Sequence, residues 1–190
     1  MGASKSKLSP EALADLTRRT HFDRKELQLW HKGFIKDCPK GTIDKKDFQK
    51  IYKQYFPFGD PSKYAAYIFR LIDTNNNGEI DFAEFVTALS VSARGDLEDR
   101  LAWSFQLYDL DEDGFISKAE MLCIVDAIYR MVGTTAGLPA DELTPEQRVD
   151  KVFTTMDLDG DGRLSVQEFK DGAKRDPSIL DALGLYSGLV

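Results

Sequence analysis

The sequence predicts an all-α protein of four helix-loop-helix units arranged as two pairs, with short β contacts between the paired loops. Three observations carry that prediction. Three acidic twelve-residue segments align without gaps, a fourth keeps their frame but carries no acid at the first, third and fifth positions, and apolar residues recur at helical spacing on both sides of each.

The intact segments are DTNNNGEIDFAE (73–84), DLDEDGFISKAE (109–120) and DLDGDGRLSVQE (157–168). Each has Asp first, Asp or Asn third and fifth, Gly sixth, Ile or Leu eighth and Glu twelfth. The fourth copy, KDCPKGTIDKKD (36–47), aligns on Gly41 and Ile43 but carries Lys36, Cys38 and Lys40 where oxygen-bearing side chains stand in the others. The sixth-position glycines are spaced 37, 36 and 48 residues apart, and the extra length falls in the polar, turn-rich connection 133–146.

Helical stripes flank these loops. Leu27, Trp30 and Phe34 precede the first, and Phe48, Ile51, Tyr52 and Tyr55 follow it. Phe82, Phe85, Val86 and Leu89 follow the second; Met121, Val125, Ile128, Tyr129 and Val132 follow the third. A capping residue followed by proline marks helix starts at Ser9-Pro10, Asp60-Pro61, Thr144-Pro145 and Asp176-Pro177. The expected organisation is an N-terminal segment with the start of the first helix (1–20), a first pair (21–93), a second pair (94–175) and a C-terminal helix or tail (176–190).

The intact loops have the chemistry of EF-hand calcium sites. Ca2+ is a hard cation that takes six to eight oxygens, which a twelve-residue loop supplies from positions 1, 3, 5, 7, 9 and 12. The side-chain donors at 1, 3 and 5 are Asp73, Asn75, Asn77; Asp109, Asp111, Asp113; and Asp157, Asp159, Asp161. Position 7 gives a backbone carbonyl, so Glu79, Phe115 and Arg163 all fit there. Position 9, often acting through water, is Asp81, Ser117 or Ser165. Glu84, Glu120 and Glu168 can each give both oxygens, and Gly78, Gly114 and Gly162 permit the sharp turn. Three Ca2+ with affinities on the order of 10⁻⁷ to 10⁻⁵ M are expected, with Mg2+ as the alternative occupant at rest. Their charge of +6 nearly cancels a formal net charge of −7.

That acidity, without a basic stripe, argues against nucleic-acid binding. There is no run of about 18 apolar residues and no secretory leader, so a cytoplasmic protein is expected. Cys38 and Cys123 are far apart and suit reduced thiols. Nothing resembles a phosphate loop, a zinc set or a catalytic triad, and His21 and His31 read as helix residues, so no enzyme is expected.

A calcium buffer barely opens on binding, whereas a sensor exposes an apolar groove for a partner's amphipathic helix. Thirteen of the 21 aromatic residues lie in the first 93 positions. Trp30, Phe34, Phe48, Ile51, Tyr52, Tyr55, Phe56, Phe85 and Leu89 are more than a small pair needs for its core and are the candidate groove. The N-terminus, MGASKS, matches the pattern for N-myristoylation at Gly2. One such chain gives reversible membrane binding on the order of 10⁴ M⁻¹, to which Lys5 and Lys7 add a weak attraction for anionic lipid.

Taken together, the MG start, the broken DCPKG hand, the run FPFGDPS, three intact hands and the ending LGLYSGLV resemble the neuronal calcium sensor family, closest to its frequenin branch. Recoverin-like relatives also lose the fourth hand, which is intact here. The resemblance implies two lobes, a myristoylated N-terminus, a groove that grips target helices, and phosphatidylinositol 4-kinase as a partner, with receptor-signalling proteins as further ones. It also implies peripheral association with Golgi or plasma membrane. A calcium buffer remains an alternative. So does a calcineurin B-like phosphatase regulatory subunit, although that relative keeps a working first loop. The tail residues Ile179, Leu180, Leu183, Tyr186 and Leu189 either lie in the groove or pack on the second lobe.

The spoiled first loop is expected to serve as a structural partner. Hands pair through their eighth positions, so Ile43 should face Ile80 and Ile116 should face Leu164. Of its positions 1, 3, 5 and 12 only Asp47 can ligate, Lys36 and Lys40 repel a cation, and Pro39 stiffens the loop.

Overall fold

A computed structural model of the chain describes residues 8–133 and 144–175. Its elements are α1 (Pro10–Arg19), α2 (Arg24–Asp37), β1 (Thr42–Asp44), α3 (Lys45–Tyr55), α4 (Ser62–Ile72), β2 (Glu79–Asp81), α5 (Phe82–Arg94), α6 (Leu97–Tyr108), β3 (Phe115–Ser117), α7 (Lys118–Val132), α8 (Pro145–Met156), β4 (Arg163–Ser165) and α9 (Val166–Arg175). Gly2, the Asp176-Pro177 start, the C-terminal tail and most of the connection 133–146 lie outside the described residues.

Helix starts follow the capping chemistry. Ser9 accepts from the Ala12 N–H in front of Pro10, and Thr144 forms a capping box with Gln147 in front of Pro145. Asp60-Pro61 departs from the expected pattern by one residue. The helix begins at Ser62 with Pro61 as its N-cap, and Pro61 brings no side-chain acceptor. The Asp60 carboxylate therefore reaches from one position further out to take the Ser62 N–H at 3.1 Å.

The four helix-loop-helix units are α2–α3, α4–α5, α6–α7 and α8–α9. Strands β1 and β2 pair antiparallel with Ile43 opposite Ile80; β3 and β4 do the same with Ile116 opposite Leu164. All four side chains are buried, so each pair of loops is joined by a two-stranded contact with an apolar centre. The period-2 alternation of strands puts residues 43, 80, 116 and 164 on the core side and their neighbours towards the loops.

Helix α1 is an addition to the four units. It buries Leu13 and Leu16, and the turn after it is fixed to α5: the His21 N–H donates to Ser90 Oγ at 2.7 Å. Arg94 holds the same corner, bonding Glu26 and the His21 carbonyl while its guanidinium lies 4.5 Å over the Phe22 ring.

The two pairs share one apolar core and meet along α4, α6 and α7. The turn in FPFGDPS docks on the end of α7, where the Asp60 N–H donates to the Arg130 carbonyl at 2.8 Å. Gly59 makes this possible. A Cβ there would lie 1.9 Å from the Met131 carbonyl oxygen, so any side chain forces the turn away from α7.

Candidate metal loops and apolar cleft

The three intact loops fold in the same way. Their sixth residues, Gly78, Gly114 and Gly162, have φ of +83°, +88° and +81°, a left-handed conformation that costs glycine nothing. Their fourth residues, Asn76, Glu112 and Gly160, are also left-handed, at φ 54°, 62° and 73°.

First-position carboxylates sit at the centre of each turn. Asp73, Asp109 and Asp157 accept from the N–H groups of Gly78, Gly114 and Gly162 at 2.9, 3.1 and 3.0 Å. Third-position oxygens accept from the fifth-position N–H groups, and fifth-position oxygens from the seventh: Asn77, Asp113 and Asp161 each take the N–H two residues on at 2.8 Å. This ladder of side-chain turns folds the donors inwards. Carboxylate oxygens of Asp109, Asp111 and Asp113 come within 4.8 Å of one another, as do those of Asp157, Asp159 and Asp161.

The twelfth-position glutamates close each loop from the other side. Glu84 bridges Asn75 and the Asp81 N–H, Glu120 bridges the N–H groups of Leu110 and Ser117, and Glu168 bridges those of Leu158 and Ser165. Asp81 and Ser117 have a second role that the ligand pattern did not reveal: they are the N-caps of α5 and α7 and form capping boxes with Glu84 and Glu120. The same glutamate thus starts a helix and faces the loop.

The electrostatics suit a cation. Burial pushes the Asp109 carboxyl above its usual range, and the nearby Glu120 and Asp113 charges add to this against bonds from Gly114 and Asp113. Burial is also the largest single effect on Glu120 and opposes ionisation, but bonds from Ser117, Leu110 and Asp111 together hold its carboxyl below the ordinary value. The N–H of Ser165, as the largest cause, does the same for Glu168. Crowded carboxylates in these loops repel one another, and an oxygen-seeking divalent ion relieves that repulsion.

The first loop differs in backbone as well as in side chains. Gly41 keeps the sixth-position geometry at φ 82°. Pro39, however, occupies the fourth position, and its ring locks φ near −65°, excluding the left-handed conformation that the other three loops adopt there. The loop turns instead through a Gly41 N–H to Cys38 carbonyl bond of 2.8 Å. Restoring oxygen ligands alone would leave the wrong loop shape. The register of residue 39 against those left-handed positions was the signal in the sequence that could have shown this.

Eight of the nine candidate groove residues line one cleft of about 420 Å3 between α2, α3 and α5: Trp30, Phe34, Phe48, Ile51, Tyr52, Tyr55, Phe85 and Leu89. The exception is Phe56. It terminates α3, its N–H bonding the Tyr52 carbonyl, and its ring packs against the core. Within the cleft the roles divide. Phe34, Phe48, Tyr52 and Leu89 are buried and form the floor, while Trp30, Ile51 and Tyr55 form an apolar rim that is 43, 37 and 67% exposed. Trp30 is held edge-on against Phe85, with ring centroids 6.5 Å apart. His31 is buried edge-on to Phe82 at 4.8 Å, and burial pushes its pKa down.

An EF-hand domain pair model matches residues 98–174, and an EF hand domain model matches residues 65–91. With the loops above, these matches define an EF-hand calcium-binding protein. Proteins described as Neuronal calcium sensor 1 from Lymnaea stagnalis and from Aplysia californica are each 52% identical to the chain over 185 residues, 97% of either length. The chain belongs to the neuronal calcium sensor family, in its frequenin branch, a family of calcium-binding regulatory proteins rather than enzymes. No helix among the described residues is long and apolar enough to cross a membrane.

Proposed function

We propose that the chain is a calcium sensor that takes three Ca2+, in loops 73–84, 109–120 and 157–168, and regulates a target enzyme by capturing an amphipathic helix in the cleft of the first pair. The observation that carries this is the cleft: large apolar side chains stand exposed at its rim on α2 and α3, the helices flanking the first loop, while Phe85 and Leu89 of α5, the helix that leaves the second loop, complete its lining. A buffer gains nothing from such a rim, whereas a helix with apolar residues at i, i+3, i+4 and i+7 would cover it.

The expected ligands are the oxygens of Asp73, Asn75, Asn77, Asp81 and Glu84 with the Glu79 carbonyl; Asp109, Asp111, Asp113, Ser117 and Glu120 with the Phe115 carbonyl; and Asp157, Asp159, Asp161, Ser165 and Glu168 with the Arg163 carbonyl. Mg2+ takes the same oxygens at rest. Family membership points to phosphatidylinositol 4-kinase as the target, and the MGASKS start to myristoylation at Gly2 with peripheral attachment to Golgi or plasma membrane.

The test is capture of a phosphatidylinositol 4-kinase helix with and without Ca2+, using the wild type, Glu120→Gln and Trp30→Ala. Calcium-dependent capture that both substitutions weaken is the expected result. Capture that ignores calcium would instead indicate a fixed subunit, and calcium uptake with neither capture nor a rise in apolar-dye fluorescence would indicate a buffer.

A further inference from the structure

Arg70 lies in the last turn of α4, three residues before Asp73 opens the second loop, yet its side chain serves the other pair. Nη1 donates to the Leu110 carbonyl at 2.5 Å, and Nη2 lies 3.4 Å from the Asp109 carbonyl and 3.5 Å from that of Gln106. These carbonyls end α6 and begin the third loop. A helix C-terminus carries carbonyls without internal partners and a partial negative charge, so a guanidinium is well matched to it. The arginine is held there at some cost, because its Nε is buried without a hydrogen-bond partner.

The contact reaches a candidate ion ligand in one further step. Leu110 accepts from Arg70 through its carbonyl and donates its N–H to Glu120 Oε1 at 2.8 Å, and the same oxygen takes the Asp111 N–H at 3.2 Å. A Glu120 carboxylate that turns to an ion must give up or weaken these bonds, which frees the segment that Arg70 grips. At the other end, the Asp73 N–H closes α4 on the Phe69 carbonyl at 2.9 Å, so a shift of Asp73 moves the turn that carries Arg70. The second and third loops also face each other across a cleft of about 380 Å3 whose walls include Asp73 and Asn76 on one side and Asp109 and Glu112 on the other.

We propose that Arg70 is a positioning residue that couples ion binding at the second loop to ion binding at the third, across the boundary between the two pairs. The inference rests on the reading of both loops as calcium sites. Coupling of this kind is reciprocal: whatever factor the third loop confers on the second, the second returns to the third.

Calcium titrations followed by the amide resonances of Gly78, Gly114 and Gly162 report the three loops separately. Four proteins form the cycle: wild type, Glu120→Gln, Arg70→Met and the double variant. In the wild-type background, Glu120→Gln is expected to weaken the second loop by about fivefold or more, within the usual range of site-to-site coupling. In the Arg70→Met background the same change should alter it by less than about twofold. A merely structural role would weaken each loop and leave that ratio unchanged, and an equal ratio in both backgrounds overturns the proposal, as does a wild-type ratio under about twofold. Without calcium, Arg70→Met should speed exchange of the Leu110 and Asp111 amides, and unchanged exchange also counts against it. If Arg70→Met does not fold, Arg70→Lys keeps the charge while losing the fork and serves the same cycle. Absence of any shift at Gly78 and Gly114 would overturn the loop assignment itself, a different failure.

Discussion

Ile43 and Ile80 face each other at the centre of the bridge between the first two loops, 5% and 0% exposed. A loop that lacks oxygen-bearing side chains at its first, third and fifth positions thus supplies half of the apolar contact on which its partner rests. Ile43→Ala should cost about 2–4 kcal/mol of stability, the usual penalty for emptying a buried isoleucine site. It should also weaken calcium at the second loop while leaving the fourth unchanged. Chemical denaturation of the metal-free protein and loop-resolved titration measure the two effects, and a second loop that is unaffected would mean that the bridge does not support it.

The backbone at Pro39 predicts a two-step rescue of the first loop. Asp at positions 36 and 40, Asn at 38 and Glu at 47 should not by themselves produce a tight fourth site. Adding Pro39→Gly should. Calorimetry of the two variants decides this: a tight fourth ion with Pro39 in place would show that side chains alone had disabled the loop.

Gly59 predicts the strength of the junction between the pairs. Gly59→Ala places a methyl within 1.9 Å of the Met131 carbonyl oxygen, so the turn must lift off α7 at a cost of about 1–3 kcal/mol. The Asp60 amide, now bonded to Arg130, should lose hydrogen-exchange protection. Wild-type stability and unchanged exchange would contradict the close approach.

Carboxyl chemistry sets the pH dependence. Asp109 has its pKa raised above 3.8 in the metal-free fold, and it is an expected ligand that must be ionised to bind. Its contribution to metal-free stability is fully present below the unfolded pKa and is lost as pH rises through the raised folded value. Calcium should therefore displace protons at the third loop, with affinity falling as pH drops through the raised Asp109 value. Glu120 and Glu168 have the opposite sign: their stabilisation is present above the unfolded value near 4.5 and is lost only as pH falls through their depressed ones. Calorimetry in buffers of different ionisation enthalpy measures the proton release, and release that sets in at no higher pH than for an unshifted aspartate would contradict the raised Asp109.

Much of this molecule is written in local sequence. Twelve-residue loops carry their own geometry through glycines and side-chain turns, so the loop frames, strand register and most of the cleft could be read from spacing alone. The helical stripe identified Trp30, Ile51 and Tyr55 but could not place Phe56, because that residue follows the last turn of α3 and its direction depends on how the chain bends towards Pro61. Neither could periodicity reveal that Asp81 and Ser117 cap helices, since one residue type suits both a ligand and a cap. The reach of Arg70 to α6 and the close approach of Gly59 to Met131 arise from how the pairs pack on each other, and sequence spacing holds no record of that.

The proposed function requires that three loops hold calcium while the first takes none. Calorimetric titration of the metal-free chain at neutral pH tests it most directly: three Ca2+ per chain, with one lost in each of Glu84→Gln, Glu120→Gln and Glu168→Gln, is the predicted result, and two or four ions in the wild type would contradict it.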